Sequence, residues 1–600
     1  MLFDSELLVW LALLFPFLGT ALVPLVAVAS KKVRTAFAVI IGFATAGTIL
    51  LLLPDVWIGR SEGLAYTFSW APSIGLVFSV YIDPLAVMMA AIAGGIGSLV
   101  LLYSVKYMAG QDGLTRYYAL VLLFIGSMIG LVFVDNLLVL YFFWEAVGLC
   151  SYALIGFYTK DPKAAKAGIK ALVTTRVGDI GFLIGIFVLS SGAMTALGVG
   201  IWQSLSIQYL IQNLSLIPTE TLAIAGFCFL LGAIGKSAQV PLHVWLPDAM
   251  EAPTTISALI HAATMVNAGV YLLARSLPLF SSVPGWMTAL MIVGGITAFL
   301  AATMALVEHD LKRVLAYSTV SQLGYMVFGL GLLSGFTAAT FHLMSHAVFK
   351  ALLFLGAGAV IHSVSTRNMY QMGGLGKEMR LTYVTMLIGG LSLAGLIPLS
   401  GFWSKDMILA TAWESADYIP LVIMVITAIL TAAYTIRMLN LVFWGESRRN
   451  TTTHEAPWQM TVPLILLAVG TVVSWLGVGF LSRAYASFDL AEHGLTIFSF
   501  VTETFATPVV WISLLAFFLG AGLFVIRKRY AAHPIGDKTV IVARQGYGFD
   551  WFYGWIVQCL RRFATVFRKT HTGDLNYNVA GIALGFLLLI IILFFLGGGL

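Results

Sequence analysis

Apolar runs of about 20 residues, separated by short polar stretches, recur along almost the whole chain, and that is the length an α-helix needs to cross a bilayer. They fall at 7–29, 34–54, 83–104, 117–134, 136–157, 172–191, 222–245, 253–275, 286–307, 311–333, 337–361, 383–413, 419–444, 461–480, 508–526 and 579–597. The pattern predicts an all-α polytopic membrane protein of about 16 transmembrane helices. Two runs do not fit straight helices. Run 383–413 is too long for one crossing and contains Gly395, Pro398 and Gly401; run 222–245 contains Pro241, with Pro247 beyond. Proline removes a backbone donor and clashes with the preceding turn, so both helices should break. Broken helices occur in lipid where the freed backbone lines a polar cavity. Around the breaks, SAQVPLHVWLPDAM (237–250) resembles LAGLIPLSGFWSKDMI (393–408), each with an Asp three residues after a Trp: Trp245/Asp248 and Trp403/Asp406. The segments lie five spans apart, hence in opposite orientation, as in an inverted repeat. Residues 527–575 are basic instead, and within them Trp551, Phe552, Trp555, Ile556, Cys559, Phe563, Val566 and Phe567 recur at helical spacing. That spacing reads as an amphipathic helix on the cytoplasmic face.

Composition agrees. Hydrophobic residues make up 60% of the chain and charged ones 10%, against ~45–50% and ~25% in soluble domains. Mean hydropathy is +0.95. Putting Lys31, Lys32 and Arg34 in the cytoplasm and alternating from there leaves 25 of the 33 Lys/Arg at cytoplasmic ends. Three (Arg60, Arg275, Arg483) are then external, and both termini are external. The net charge of +6 reflects this bias and does not indicate nucleic-acid binding. Cys150, Cys228 and Cys559 are too dispersed for an iron–sulfur or zinc framework, and no phosphate-binding glycine loop is present. No cofactor is therefore expected in this chain. The first apolar run has no basic segment before it and reads as a retained span.

The candidate chemistry is the charge left inside the spans, where each ionisable group costs at least ~2.5–3.5 kcal/mol. Glu145 and Lys236 each sit deep in an apolar run. Burial favours their neutral forms and mutual proximity their charged forms, so a pair of variable separation takes up or releases a proton; a static pair would only pin two helices. Arg176 and Asp179 are three apart on one helix and able to pair, or Asp179 is a proton entry group. His342, His346 and Lys350 stack at four-residue spacing, a column suited to proton relay, to a structural hydrogen-bonded file, or to a metal or haem. His243 and His261 are relay candidates or satisfied core histidines. Lys405 and Asp406 are adjacent at the second break, and Lys405 is a candidate last carrier. Lys312 and Arg313 read as ordinary loop charges at a helix start.

The segments GKSAQVPLHVWLPDAMEAPTTISALIHAATMVNAGVYL (235–272), DLKRVLAYSTVSQLGYM (310–326), FHLMSHAVFKALLFLGAGAVIH (341–362) and SGFWSKDMIL (400–409) resemble the antiporter-like membrane subunits of respiratory complex I. The length and the basic segment near the C-terminus point to the L-type. The resemblance implies N-terminal helices in 1–116, two inverted five-helix repeats in 117–275 and 286–444, further helices in 445–526, a lateral-type amphipathic segment in 527–578 and a last helix in 579–600. It implies a modulating Glu145–Lys236 pair, a hydrated axis through His261, His342 and His346, and an exit-side Lys405. Flavin, iron–sulfur clusters and quinone would belong to partner subunits. The partners implied are other membrane subunits of a complex I-like assembly, further antiporter-like ones among them, and the bilayer. A helix covering 537–572 would reach only ~50 Å, enough to touch one neighbour rather than a whole array.

The expected function is that of a proton-translocating subunit of a redox-driven, complex I-like quinone oxidoreductase, in a bacterial or archaeal cytoplasmic membrane. The alternative is a subunit of a cation/proton antiporter, membrane hydrogenase or inorganic-carbon uptake complex.

Overall fold

A computed structural model describes residues 4–57, 63–71, 76–416, 418–448, 453–484, 496–530 and 540–570, with isolated positions beyond. Helices dominate. Twelve of those described are long and apolar enough to cross a membrane, or 13 if the bent pair Ile497–Ala506 and Pro508–Phe524 forms one span. This is fewer than the 16 expected. Part of the difference is the helix Leu311–Leu330, which is rich in polar side chains and almost entirely buried among its neighbours. A helix out of contact with lipid has no need of an apolar surface. The run expected at 383–413 is two helices, Arg380–Ala394 and Ser400–Glu414. The run expected at 579–597 lies outside the described residues apart from isolated positions.

Local sequence explains where the helices begin. Asp83, Asn136, Asp161 and Asp310 each accept hydrogen bonds from backbone N–H groups in the first turn that follows. After Asp83 and Asp161 a proline occupies the first helical position, where its missing N–H costs nothing. A short antiparallel hairpin, Leu64–Ala71 with Leu76–Ile82, departs from the all-helical expectation. Val80 pairs with Val134, just past the end of the helix Leu114–Phe133.

Both broken helices form where proline predicts. The helix Thr219–Lys236 ends before Pro241, and the chain runs through short turns to Thr254–Phe280. Its freed backbone is satisfied by side chains: Trp245 Nε1 donates to Gly235 O at 3.1 Å, and Thr297 Oγ1 accepts from Val240 N at 3.0 Å. At the second break Gly395 adopts φ +86°, a left-handed conformation open to glycine, and closes the preceding helix. Ala238, three residues before Pro241 as Gly395 is before Pro398, is also left-handed, with φ +48°.

Loops assigned to one face by the charge count meet each other. Arg313 pairs with Glu308 and Asp248, and Arg367 with Glu251 and Asp310. On the opposite face Arg275 pairs with Asp83.

The chain divides into two units, Met1–Asp537 and Lys538–Leu600. The second, taken by itself, contains the helix Phe549–Thr570, 22 residues and so about 33 Å long. Trp551, Trp555 and Phe563 are exposed on it. This is shorter than the helix over 537–572 considered from sequence.

Candidate functional site

The site grows from the first break. Lys236 is the last residue of its helix and wholly buried. Its amine lies 3.3 Å from Asp179 Oδ2, and Asp179 Oδ1 accepts from Trp144 Nε1 at 2.6 Å. The amine also lies 5.5 Å from the centre of the Trp144 ring. Two glycines permit this contact. A Cβ on Gly178 would stand 2.8 Å from Leu231 O and 3.0 Å from Gly235 Cα, so the helices Pro162–Leu197 and Thr219–Lys236 touch backbone to backbone beside the pair. Glu145 instead pairs with Arg176, 2.5 Å away and partly exposed. The expected Glu145–Lys236 pair and the Arg176–Asp179 pair are therefore both replaced by cross-pairs between helices. The Glu145 helix nonetheless packs against Lys236: a Cβ on Gly148, one turn beyond Glu145, would stand 2.6 Å from the Lys236 amine.

Further buried polar side chains lie in the interior. His261 occupies a single π-helical turn, Leu259–Ala263, and packs at 4.7 Å, ring to ring, on Phe354 of the helix Phe336–Val364. That helix carries Lys350, His346 and His342, all wholly buried, as the spacing predicted. Lys350 donates to Ser318 Oγ and, at 3.4 Å, to Leu315 O. The rings of His342 and His346 are 6.3 Å apart. Among the described residues, neither ring nitrogen of His261 or of His346 has a protein partner. His342 has two, Ser404 Oγ at 2.9 Å and Gln322 Oε1 at 3.1 Å, which leaves no nitrogen open to a metal. Lys405 follows Ser404. Its amine donates to Leu393 O at 2.8 Å, at the carbonyl end of the helix before the second break, and faces the Tyr325 ring at 5.6 Å. Asp406 points away, accepting from Ser513 Oγ at 2.6 Å. His243 is buried in the first break with Nδ1 3.2 Å from Pro241 O, apart from the file.

Sequence reasoning missed several members. Trp144, Ser318, Gln322 and Ser404 carry no charge that would mark them in an apolar run. Lys312 is not an ordinary loop charge. It is 3% exposed and donates to Met250 O and Ala252 O at 2.7 and 2.6 Å, closing the carbonyl end of the turn after the first break. Arg313 and Lys170 both pair with Asp248 on that turn, Lys170 at 2.6 Å. Beneath it, burial pushes Glu308 upward, but Arg313 and the N–H groups of His309 and Asp310 outweigh burial and hold its carboxyl below the usual range. Burial prevails at Asp310, raising its carboxyl against the pull of Arg367.

A buried lysine–carboxylate pair at one broken helix, a lysine at another, and a file of lysine and histidine between them define an antiporter-like membrane subunit. Comparison with known proteins gives the family. Residues 134–431 match the family described as NADH:quinone oxidoreductase/Mrp antiporter, TM, and residues 70–118 the N-terminus of complex I chain 5. F(420)H(2) dehydrogenase subunit L of Methanosarcina mazei is 40% identical over 91% of this chain and 80% of its own length. NAD(P)H-quinone oxidoreductase chain 5 of Picosynechococcus sp. is 40% identical over 82% of this chain and 80% of its own length. Among solved structures, one chain of the Mrp complex from Dietzia sp. superposes with a TM-score of 0.79 at 29% identity. That likeness covers 97% of this chain, which spans 62% of the Dietzia chain. The protein belongs to the chain 5, or subunit L, family of complex I-like quinone oxidoreductases.

Proposed function

We propose that this chain translocates protons across the membrane as a subunit of a redox-driven, complex I-like quinone oxidoreductase. The observation that carries the reading is the Lys236–Asp179 pair, wholly buried, in a chain whose interior also buries Lys350, His346, His342 and Lys405. Such groups are costly at bilayer depth and are characteristic of proton paths. A change elsewhere in the complex alters the balance among Glu145, Arg176, Asp179 and Lys236. The proton on Lys236 then passes to Lys350, His346 and His342, with water bridging at the unpaired nitrogens of His261 and His346, and leaves by way of Lys405 and Asp406.

The finer organisation belongs to the same proposal: about 16 spans, two inverted repeats over 117–275 and 286–444, and external termini. Its support is the paired left-handed residue three positions before each break proline, Ala238 and Gly395, together with the charge bias of the loops. Flavin, iron–sulfur clusters and quinone are assigned to partner subunits, and the membrane to a bacterium or archaeon. A second reading, a cation/proton antiporter subunit without redox input, is favoured by the likeness to the Mrp complex. Flavin absorbance in the purified native complex separates the two.

The test is redox-driven acidification of inverted membrane vesicles, comparing wild type with Lys236→Ala at equal complex abundance. Loss of most of the pH gradient is expected. An unchanged gradient would make Lys236 a structural charge and reject the reading.

A further inference from the structure

Where Ser400–Glu414 meets the start of Phe336–Val364 and the short helix Ile497–Ala506, the structure forms a partly open cavity of about 80 Å³. Its wall carries three carboxyls, Asp406, Glu414 and Glu503, and the hydroxyl of Thr337. Asp406 is 2% exposed, whereas Glu414 and Glu503 are exposed, so the cavity leads from a buried carboxyl to surface ones. Thr337 is 3% exposed, and among the described residues its hydroxyl has no protein partner. A buried hydroxyl without a partner costs about 1–3 kcal/mol, a cost that water in the cavity removes. A water needs at least about 10–15 Å³ of such space and two or more polar partners; this cavity offers both for several waters.

The helix that supplies Glu503 is fixed by aromatic packing. It is bent by 74° from the helix that follows. Phe500, one turn before Glu503, packs 5.6 Å from Trp403, which itself stacks on Trp475 at 4.9 Å. Trp403 is two residues before Lys405, so the ring that anchors the bent helix also sits beside the second break. Glu503 lies well beyond the family match at 134–431. Ser334 in its loop, Glu414 at the end of its helix and Glu503 on the helix Ile497–Ala506 all fall in stretches that the charge count makes external.

We propose that this cavity is the outlet of the proton path and that Glu503 is its terminal carboxylate. The inference rests on the proton-translocation reading. Lys405, which lies outside the cavity wall, gives one proton from its ammonium to the neighbouring Asp406 carboxylate, which does line it, and becomes a neutral amine. The Asp406 carboxyl passes that proton to the Glu503 carboxylate, which releases it to external water; Asp406 and Glu503 are then carboxylates again, and the Lys405 amine regains its charge when the next proton reaches it along the file from His342.

Two measurements test this in the assembled complex. In inverted vesicles at equal complex abundance, Glu503→Gln should lower the rate of redox-driven acidification several-fold, and Glu503→Asp should retain most of it. Separately, Ala410→Cys in a Cys559→Ser background should react with a membrane-impermeant thiol reagent added at the external face and not at the cytoplasmic one. Wild-type acidification by Glu503→Gln, or an Ala410→Cys thiol that does not react from outside, overturns the outlet. If Lys236→Ala abolishes the gradient while Glu503→Gln leaves it intact, the proton leaves elsewhere and the translocation reading stands. If neither variant changes the gradient, both fall.

Discussion

Asp179→Asn removes most redox-driven acidification while electron-transfer subunits remain attached. Asp179 and Lys236 are 1% and 0% exposed, and their contact is 3.3 Å. Deleting one partner of a buried pair leaves an uncompensated charge and costs about 3–5 kcal/mol. Any protonation of Lys236 then bears that cost, and the amine no longer takes up and passes a proton under the same driving force. The informative variant is the double one, Asp179→Asn with Lys236→Met. Replacing a whole buried pair by groups of similar volume is often neutral for stability, so the double variant should assemble near wild-type abundance on a native gel. A pair that only pins two helices predicts that acidification returns along with assembly. A working pair predicts that assembly returns and acidification does not. Restored acidification in the double variant would therefore reject the switch and keep the pair as a structural element.

The parts of this site that sequence revealed are those where charge stands out from an apolar background. Glu145, Lys236, Lys350 and Lys405 were visible because their neighbours are apolar, and the four-residue spacing placed His342, His346 and Lys350 on one helix face. Partnership was less visible, because it depends on how far each helix rotates and how closely it approaches the next. Asp179 reaches Lys236 across Gly178 and Gly235, and the only signal for that was two small residues in separate runs. Arg176, on the same helix, turns to Glu145 instead. Lys312 looked like a loop charge because the carbonyls it meets, Met250 and Ala252, lie about sixty positions earlier in the chain. Length and apolarity alone pick out twelve of the described helices and pass over a polar helix such as Leu311–Leu330, which is stable because neighbours cover every face. The hairpin over 64–82 carries alternating aromatic residues, Tyr66 and Phe68 then Phe78, a strand signal that a search for twenty-residue runs passes over.

Arg275 shows the same limit at the opposite face and yields the largest expected loss of stability. By sequence it was one of three basic residues at external ends. In the fold it is 5% exposed, and its guanidinium makes two hydrogen bonds to Asp83, at 2.5 and 2.8 Å. A third goes from Nε to the Tyr271 hydroxyl at 3.0 Å, which in turn donates to Val132 O at 2.9 Å. Asp83 has a second task, accepting from Ala86 N at 2.9 Å to cap the helix Pro84–Tyr107. Arg275→Ala leaves that carboxylate buried without its counter-ion and should destabilise the subunit by about 3–5 kcal/mol. Arg275→Lys should recover little, because an ammonium cannot reproduce the paired hydrogen bonds of the guanidinium fork. Asp83→Ala should cost still more than the ion pair, since about 1 kcal/mol of capping is lost with it. The measurement is thermal unfolding of the detergent-purified complex, with retention of this subunit followed on native gels. A wild-type midpoint in Arg275→Ala would show that the two long-range contacts do not hold the hairpin end of the molecule to the helix Met265–Phe280. A large loss that Arg275→Lys fails to repair would establish bidentate geometry, rather than charge alone, as what fixes that end of the helix Met265–Phe280 and, through it, the position of His261 on the same helical segment.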